Sequence, residues 1–244
     1  MKTQVLGVQF DNLSPEDALE RFLGFLDEPV AHVVVTPNPE MVMLSRRDVE
    51  FCTILNSAGL CVPDGTGIAW ASKYTQSRIK QRVPGIELVL NAMETQKGRE
   101  KRWFFLGGAP GVAETAKEAM EARFEGLMVV GTQHGFFSQA EEGEIIQRIK
   151  ALNIDIVLVG LGFPRQEKWM HANKDKLGAK VLAGVGGSLD VMSGKVKRAP
   201  KIFQKLHLEW FYRLLRQPSR IWRQRVLVKF IFTVLFSRRR GELQ

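Results

Sequence analysis

Four short apolar runs, each followed by glycine or proline and each separated from the next by a helical pattern, constrain the fold of this chain most strongly. The runs cover residues 31–35, 102–106, 154–159 and 180–184. Nearly continuous apolar strands that alternate with helices are typical of a parallel sheet, because both faces of such a sheet are buried. We therefore predict an α/β fold, a Rossmann-like parallel sheet covered by helices on both faces.

The turns that follow these runs indicate where a ligand would bind. They contain TPNP at 36–39, GG at 107–108, GLG at 160–162 and GVGG at 184–187. Ligands of open parallel sheets bind beyond the carboxyl ends of the strands, where these turns are expected to meet. The pattern predicts the location of a site and leaves its chemistry open.

Two of the glycine turns open a predicted helix and could approach a phosphate. In GGAPG at 107–111 the backbone N–H groups can face an anion at the positive end of a helix, although a plain tight turn explains the motif equally well. The motif lacks the full GxGxxG spacing and the later acidic residue of a nicotinamide site. In GLGFPRQEKW at 160–169 polar side chains could reach a sugar or phosphate, or Glu167 could simply cap the helix.

Asp64 is the best candidate for a general base. It lies in VPDGTG at 62–67, between proline and glycine, where an Asp more often forms a turn than catalyses a reaction. Its pairing with the TPNP loop of the preceding strand favours the catalytic interpretation. The chain has no HExxH or DxD motif and no histidine cluster, so we predict no metal site and no cofactor.

Charge divides the chain into two parts. Residues 195–244 hold 14 Lys or Arg and two Glu, a net charge of +12, whereas residues 1–194 carry −3. We predict a catalytic body at 1–194 and a basic amphipathic helical appendage at 195–244 that docks on an anionic surface. The apolar run 226–236 would be about 16 Å long as a helix, too short to cross a bilayer but suited to its interface.

Three alternatives remain open for this appendage. It could pack as a helical hairpin on the core, it could bind nucleic acid through its cations and aromatic residues, or its apolar surface could seal a homodimer. The two cysteines, Cys52 and Cys61, suggest neither a disulfide framework nor zinc and are expected to be buried in a reducing compartment. Because no signal peptide or spanning segment is visible, we expect a cytoplasmic protein, peripheral on the inner face of the membrane.

Seven ordered blocks over nearly the whole chain resemble the WecG/TagA/CpsF glycosyltransferase family. They are VVTPNPEMV at 34–42, VPDGTGI at 62–68, RVPGIEL at 82–88, FFLGGAPGV at 104–112, GLGFPRQEKWM at 160–170, GVGGSLDVMSGKVKRAPKIFQ at 184–204 and LEWFYRLLRQPSRIWRQ at 208–224.

The resemblance implies an inverting, metal-independent transfer of N-acetylmannosamine from its UDP donor to the 4-hydroxyl of N-acetylglucosamine (GlcNAc) on undecaprenyl diphosphate. The reaction is then expected at an anionic membrane surface, and nucleic acid is not expected as a partner. Other donors, such as the uronic acid of this sugar, glucose or glucuronic acid, stay open. The resemblance assigns the base to Asp64, with Thr36 beside it. The remaining residues line the donor site or supply arginines from the appendage: Asn38, Arg82, Gly107, Gly108, Gln166 and Gly186, and Arg213, Arg220 and Arg223.

Overall fold

The structure is a computed structural model that describes residues 2–197, 199–200, 203, 212 and 221–239. Within these ranges the strands are β1 Lys2–Val5, β2 Val8–Asp11, β3 His32–Val35, β4 Leu60–Cys61, β5 Arg102–Gly107, β6 Met128–Gln133, β7 Ile156–Gly160 and β8 Val181–Gly184. Among the described residues, β1 and β2 form an antiparallel hairpin and the other strands form a six-stranded parallel sheet in the order β4-β3-β8-β7-β5-β6.

Helices follow most strands of the sheet. They are α1 Pro15–Gly24, α2 Pro39–Ser45, α3 Val49–Asn56, α4 Thr66–Ala71, α5 Gly85–Glu94, α6 Gln96–Arg99, α7 Val112–Arg123, α8 Gln139–Ala151, α9 Arg165–Asn173, α10 Ser188–Met192 and α11 Ile221–Arg239. The predicted Rossmann-like α/β fold is therefore confirmed.

The sheet is buried on both faces, as the continuous apolar strands predict. In β5, Phe104 and Leu106 join one core cluster, whereas Trp103 and Phe105 join the other. All four side chains are fully buried, because successive residues of a strand point to opposite faces and each face is covered by helices. The four predicted strands correspond to β3, β5, β7 and β8 with small shifts of their ends.

The β1–β2 hairpin covers the edge of the sheet at β4. The Asp11 carboxylate accepts a hydrogen bond of 2.9 Å from the backbone N–H of Cys61. An edge N–H group that is paired in this way cannot recruit another strand. Both cysteines are free. Cys61 is buried as predicted, but the prediction is wrong for Cys52, which is partly exposed on α3 beside the hairpin turn at Gly7.

Helix α11 packs on α2 and α4, with Phe230 and Val234 fully buried in the core cluster of that sheet face. Its opposite side is apolar and exposed, with Phe232 57% and Phe236 58% exposed. Within the described ranges, no helix combines the length and hydropathy needed to cross a membrane. The division at residue 194 stays a prediction, and the packing of α11 shows that the end of the appendage contributes to the core.

Candidate active site

The Asp64 loop is held between two other loops at the carboxyl ends of β3 and β4. The backbone N–H of Asp64 donates to the Pro37 carbonyl in the TPNP loop at 3.3 Å. The backbone N–H of Val83 donates to the Pro63 carbonyl at 3.0 Å, which fixes the RVPG segment on the other side. Asp64 is partly exposed at this end of the sheet.

Thr36 and Asn38 lie in the first of these loops. Asn38 caps α2, since its side-chain oxygen accepts a hydrogen bond of 3.1 Å from the backbone N–H of Met41. A ligand at Asn38 would therefore meet its amide N–H groups. Gly85 begins α5 directly against Thr36, and a Cβ at Gly85 would lie 2.9 Å from the Thr36 hydroxyl oxygen. A larger residue at that position would push α5 away from the site.

The structure thus brings Asp64, Thr36, Asn38 and Arg82 to one end of the sheet. We call this region the β3–β4 half, defined by residues 36–39, 62–67 and 82–85. Their proximity follows from the parallel neighbours β3 and β4, which end at the same edge. The catalytic and binding roles of these four residues stay predictions.

A cleft of about 900 Å³ opens beside this half. The described residues that line it carry four cations and one carboxylate: Thr66, Ala69, Trp70, Lys73, Arg78, Ile79, Lys80, Gln81, Arg82, Pro84 and Glu87. We call it the basic cleft. Of its cations the sequence motifs selected only Arg82, although the alternation of cation, isoleucine and cation at 78–80 is a signal that could have found two more.

The glycine turns form the other part of the edge, which we call the glycine half (residues 107–111, 160–167 and 184–187). Gly107 has a φ of +144°, and a Cβ there would lie 2.4 Å from the Gly160 carbonyl oxygen. The backbone N–H of Gly108 donates to that same carbonyl at 3.2 Å. The turns after β5 and β7 are therefore packed backbone to backbone, with no space for a side chain between them.

Gln166 is buried in the glycine half. Its side-chain oxygen accepts a hydrogen bond of 2.8 Å from the backbone N–H of Gly186, and its amide nitrogen donates to the Glu167 carboxylate at 2.8 Å. These two bonds fix which end of the amide faces which neighbour. The predicted site residues Gln166 and Gly186 are therefore in direct contact. Their binding of a donor stays a prediction.

Glu167 is fully buried beneath this amide. Burial raises the pKa of its carboxyl above the usual range, and hydrogen bonds from its own backbone N–H and from Gln166 oppose that rise. The N-cap residue of α9, Pro164, makes no side-chain capping bond, and Glu167 lies in the first turn, where its carboxylate accepts from its own backbone N–H. The alternative that Glu167 serves the start of the helix therefore stays open beside a role in binding.

Arg165 supports a neighbouring loop. Its guanidinium group donates to the carbonyls of Gly135 and Phe137 at 2.9 and 3.1 Å and lies 4.6 Å from the centre of the Phe137 ring. These contacts hold the segment after β6 against the start of α9.

The appendage arginines cannot be placed. Arg213 and Arg220 lie outside the described residues, and Arg223 falls in the first turn of α11, where side chains are not described. Among the described residues, no group of three or more His, Cys, Asp and Glu side chains could hold a metal ion.

The chain is similar to known proteins over nearly its whole length. Residues 3–244 match the model of the glycosyl transferase WecG/TagA/CpsF family. Proteins named N-acetylglucosaminyldiphosphoundecaprenol N-acetyl-beta-D-mannosaminyltransferase from Staphylococcus aureus strains MRSA252, MW2 and NCTC 8325 are each 33% identical over 241 residues. The alignments cover 98% of this chain and 94% of each relative.

Proposed function

The chain belongs to the WecG/TagA/CpsF family of glycosyltransferases, and we propose that it transfers N-acetylmannosamine from UDP-N-acetylmannosamine to the 4-hydroxyl of GlcNAc on undecaprenyl diphosphate. Such a product would serve the synthesis of cell-envelope polysaccharide or of a teichoic acid linkage unit. The names of the relatives support the transferred sugar and the acceptor. The observation that carries the proposal is the partly exposed Asp64, held at the edge of the sheet by the TPNP and RVPG loops.

In the proposed reaction Asp64 acts as general base. Its carboxylate accepts the proton of the acceptor 4-hydroxyl while the hydroxyl oxygen attacks C1 of the donor sugar. The bond between C1 and the UDP oxygen breaks on the opposite face, so the configuration at C1 inverts to a β-1,4 linkage. The electron pair of the broken bond leaves with UDP.

The leaving UDP gains negative charge, which donors in the site must stabilise. We propose that backbone N–H groups of the glycine half other than those of Gly108 and Gly186, which already donate within the protein, serve this role without a metal ion, together with the guanidinium groups of Arg213, Arg220 and Arg223. Guanidinium groups suit it because their planar N–H donors pair with phosphate oxygens. The position of the described end of α11, against α2 and α4, supports a contribution of the appendage to the site.

The exposed side of α11 supports docking on an anionic membrane, the location of a polyprenyl-linked acceptor. Its apolar residues follow helical spacing on one stripe: Val228, Ile231, Phe232, Leu235 and Phe236. Arg225, Lys229 and Arg238 are exposed on the same helix. Each cation near an anionic leaflet contributes about 1 kcal/mol, and the apolar stripe adds its own burial. A homodimer in solution would cover the same stripe.

A donor screen tests the proposed reaction. The purified full-length chain is incubated with a short-chain GlcNAc-diphosphate lipid and with UDP-N-acetylmannosamine, its uronic acid, UDP-glucose or UDP-glucuronic acid, with and without EDTA. We expect a β-1,4 N-acetylmannosamine product, identified by mass spectrometry and NMR, at a rate that EDTA leaves unchanged. Turnover with another donor alone would overturn the proposed donor. Loss of activity in EDTA that magnesium or manganese restores would overturn metal independence.

A further inference from the structure

The segment that carries two cations of the basic cleft is held rigidly on the β1–β2 hairpin side. The Asn12 side chain donates to the Arg78 carbonyl and accepts from the Lys80 backbone N–H, each at 2.8 Å. Between them Ile79 is buried, and its backbone N–H donates to the Ser72 hydroxyl at 3.0 Å. Arg78 and Lys80 are exposed on either side of this buried residue, and all three line the cleft.

Three cations of the basic cleft have no carboxylate partner among the described residues, because no ion pair there involves Lys73, Arg78 or Lys80. The lining carries four cations and one carboxylate, that of Glu87. This excess of positive charge creates a positive potential that an anion with several charges would neutralise.

The basic cleft adjoins both the loop of the proposed base and helix α11. Its lining residues Thr66 and Pro84 belong to the β3–β4 half, which contains Asp64. Its lining residue Trp70 packs edge-on against Tyr74, with ring centroids 5.3 Å apart, and the Arg238 guanidinium of α11 lies 4.9 Å from the Tyr74 ring centre. The cleft is therefore next to the proposed base and is linked through two aromatic rings to the helix with the exposed apolar stripe.

We propose that the basic cleft binds the diphosphate of the lipid-linked acceptor through Lys73, Arg78 and Lys80, an assignment that rests on the proposed function. An acceptor of this kind consists of a sugar, a diphosphate and an apolar chain in that order. The cations of the cleft adjoin the loop of the base and, through Trp70 and Tyr74, the helix that carries the apolar stripe, as a sugar, a diphosphate and an apolar chain would require. The donor diphosphate is the other source of the same chemistry, and the backbone donors of the glycine half already offer it a site.

The test compares two acceptors and two double variants. One acceptor is a short-chain GlcNAc-diphosphate lipid, and the other has an uncharged linker of similar length in place of the diphosphate. The variant Arg78→Gln/Lys80→Gln removes two cations of the cleft. The control Arg123→Gln/Lys150→Gln removes the same charge from exposed positions on α7 and α8, which follow the β5–β6 edge of the sheet.

In wild type and in the control, kcat/KM should be higher with the diphosphate acceptor than with the uncharged one. In the cleft variant this ratio of kcat/KM values should fall about 10-fold or more. The KM for the UDP-sugar should stay unchanged. An unaltered preference, or a rise confined to the KM for the UDP-sugar, would overturn the proposal. The comparison of acceptors separates the diphosphate contribution from any general loss of folding, because instability would lower both rates together.

A binding measurement separates this proposal from the proposed function. The same diphosphate acceptor is titrated without donor while tryptophan fluorescence is followed, and Trp70→Phe identifies the signal of the cleft. If no donor supports turnover but binding weakens about 10-fold in the cleft variant alone, the cleft assignment stands and the proposed reaction fails. Equal binding by wild type and cleft variant would overturn the cleft assignment.

Discussion

The β3–β4 half and the glycine half lie side by side at one edge of the sheet, yet they are built differently. In the β3–β4 half, Asp64 and Arg82 are partly exposed side chains on loops that backbone hydrogen bonds tie together. In the glycine half, Gln166 and Glu167 are buried and bonded to each other, and Gly107 packs against the Gly160 backbone.

This difference suggests that the two halves have different roles in the reaction. Exposed side chains can exchange protons with a substrate and attract its charges, whereas close backbone packing presents fixed N–H groups and a fixed shape. We infer that Asp64 of the β3–β4 half acts on the acceptor and that the glycine half holds the donor nucleotide, together with Asn38 and Arg82, which the family resemblance assigns to the donor site.

The largest effect should come from the base. Asp64→Asn keeps the size of the side chain but removes its ability to accept a proton, so kcat should fall about 100- to 10,000-fold. Steady-state kinetics with the short-chain acceptor measure this loss. A variant that kept more than about a third of the wild-type rate would show that Asp64 is a turn residue and that the base lies elsewhere.

At the carboxyl end of the sheet, the sequence predicted the loops that follow buried strands. The pairing of the TPNP and PDG loops is confirmed by the hydrogen bond from Asp64 to Pro37, and it was predictable because β3 is a continuous apolar run and both turns are clear in the sequence. Strand β4 was missed because it has only two residues, and β6 because it lies at the edge of the sheet, where few of its residues are buried. Runs of this kind give little periodic signal.

Side-chain partners were harder to predict than strands. The bond between Gln166 and the Gly186 backbone joins residues 20 positions apart, and only the packed sheet brings them together. Likewise, the backbone of Arg78 and Lys80 is held in place by hydrogen bonds to the side chain of Asn12, which lies 66 and 68 positions earlier. Sequence patterns report burial along one segment, but contacts of this kind depend on two segments at once.

The second prediction tests whether α11 supports the β3–β4 half. A Cβ at Gly67 would lie 3.7 Å from the Phe230 ring, so this buried side chain packs behind the Asp64 loop. Phe230→Ala should lower the free energy of unfolding by about 3–5 kcal/mol, the usual cost of deleting a buried aromatic side chain. Urea denaturation measures the loss.

Phe232, 57% exposed on the same helix, provides the matched control. Phe232→Ala should change the unfolding free energy by about 0.5 kcal/mol or less but weaken sedimentation with anionic vesicles. Equal losses of stability in the two variants would contradict the two-sided packing of α11. Unchanged vesicle binding in Phe232→Ala would contradict the proposed membrane surface.

A smaller effect is expected in the glycine half, where Glu167 should make stability depend on pH. Its folded pKa is raised, so the folded chain holds a proton that the unfolded chain releases above the ordinary glutamate pKa of about 4.3. This contribution is present at low pH and is lost as pH rises through the raised pKa.

Glu167→Gln keeps an oxygen that can accept from Gln166 but cannot ionise. Its unfolding free energy, measured by urea denaturation relative to wild type, should therefore increase between about pH 4.5 and pH 8. A difference that stayed constant with pH would show that burial does not perturb this carboxyl. The UDP-sugar KM of the variant should stay near wild type at low pH, where both side chains are neutral.

The affinity for UDP tests most directly whether Asp64 acts on the acceptor while the glycine half holds the donor. Isothermal titration calorimetry with UDP is carried out on wild type, Asp64→Asn and Gln166→Ala. For Asp64→Asn we predict a Kd for UDP within about 2-fold of wild type, because the Asp64 carboxylate serves the acceptor. For Gln166→Ala we predict UDP binding at least about 10-fold weaker, because the Gly186 backbone loses its hydrogen-bond partner. Weaker UDP binding in Asp64→Asn together with unchanged binding in Gln166→Ala would contradict the account.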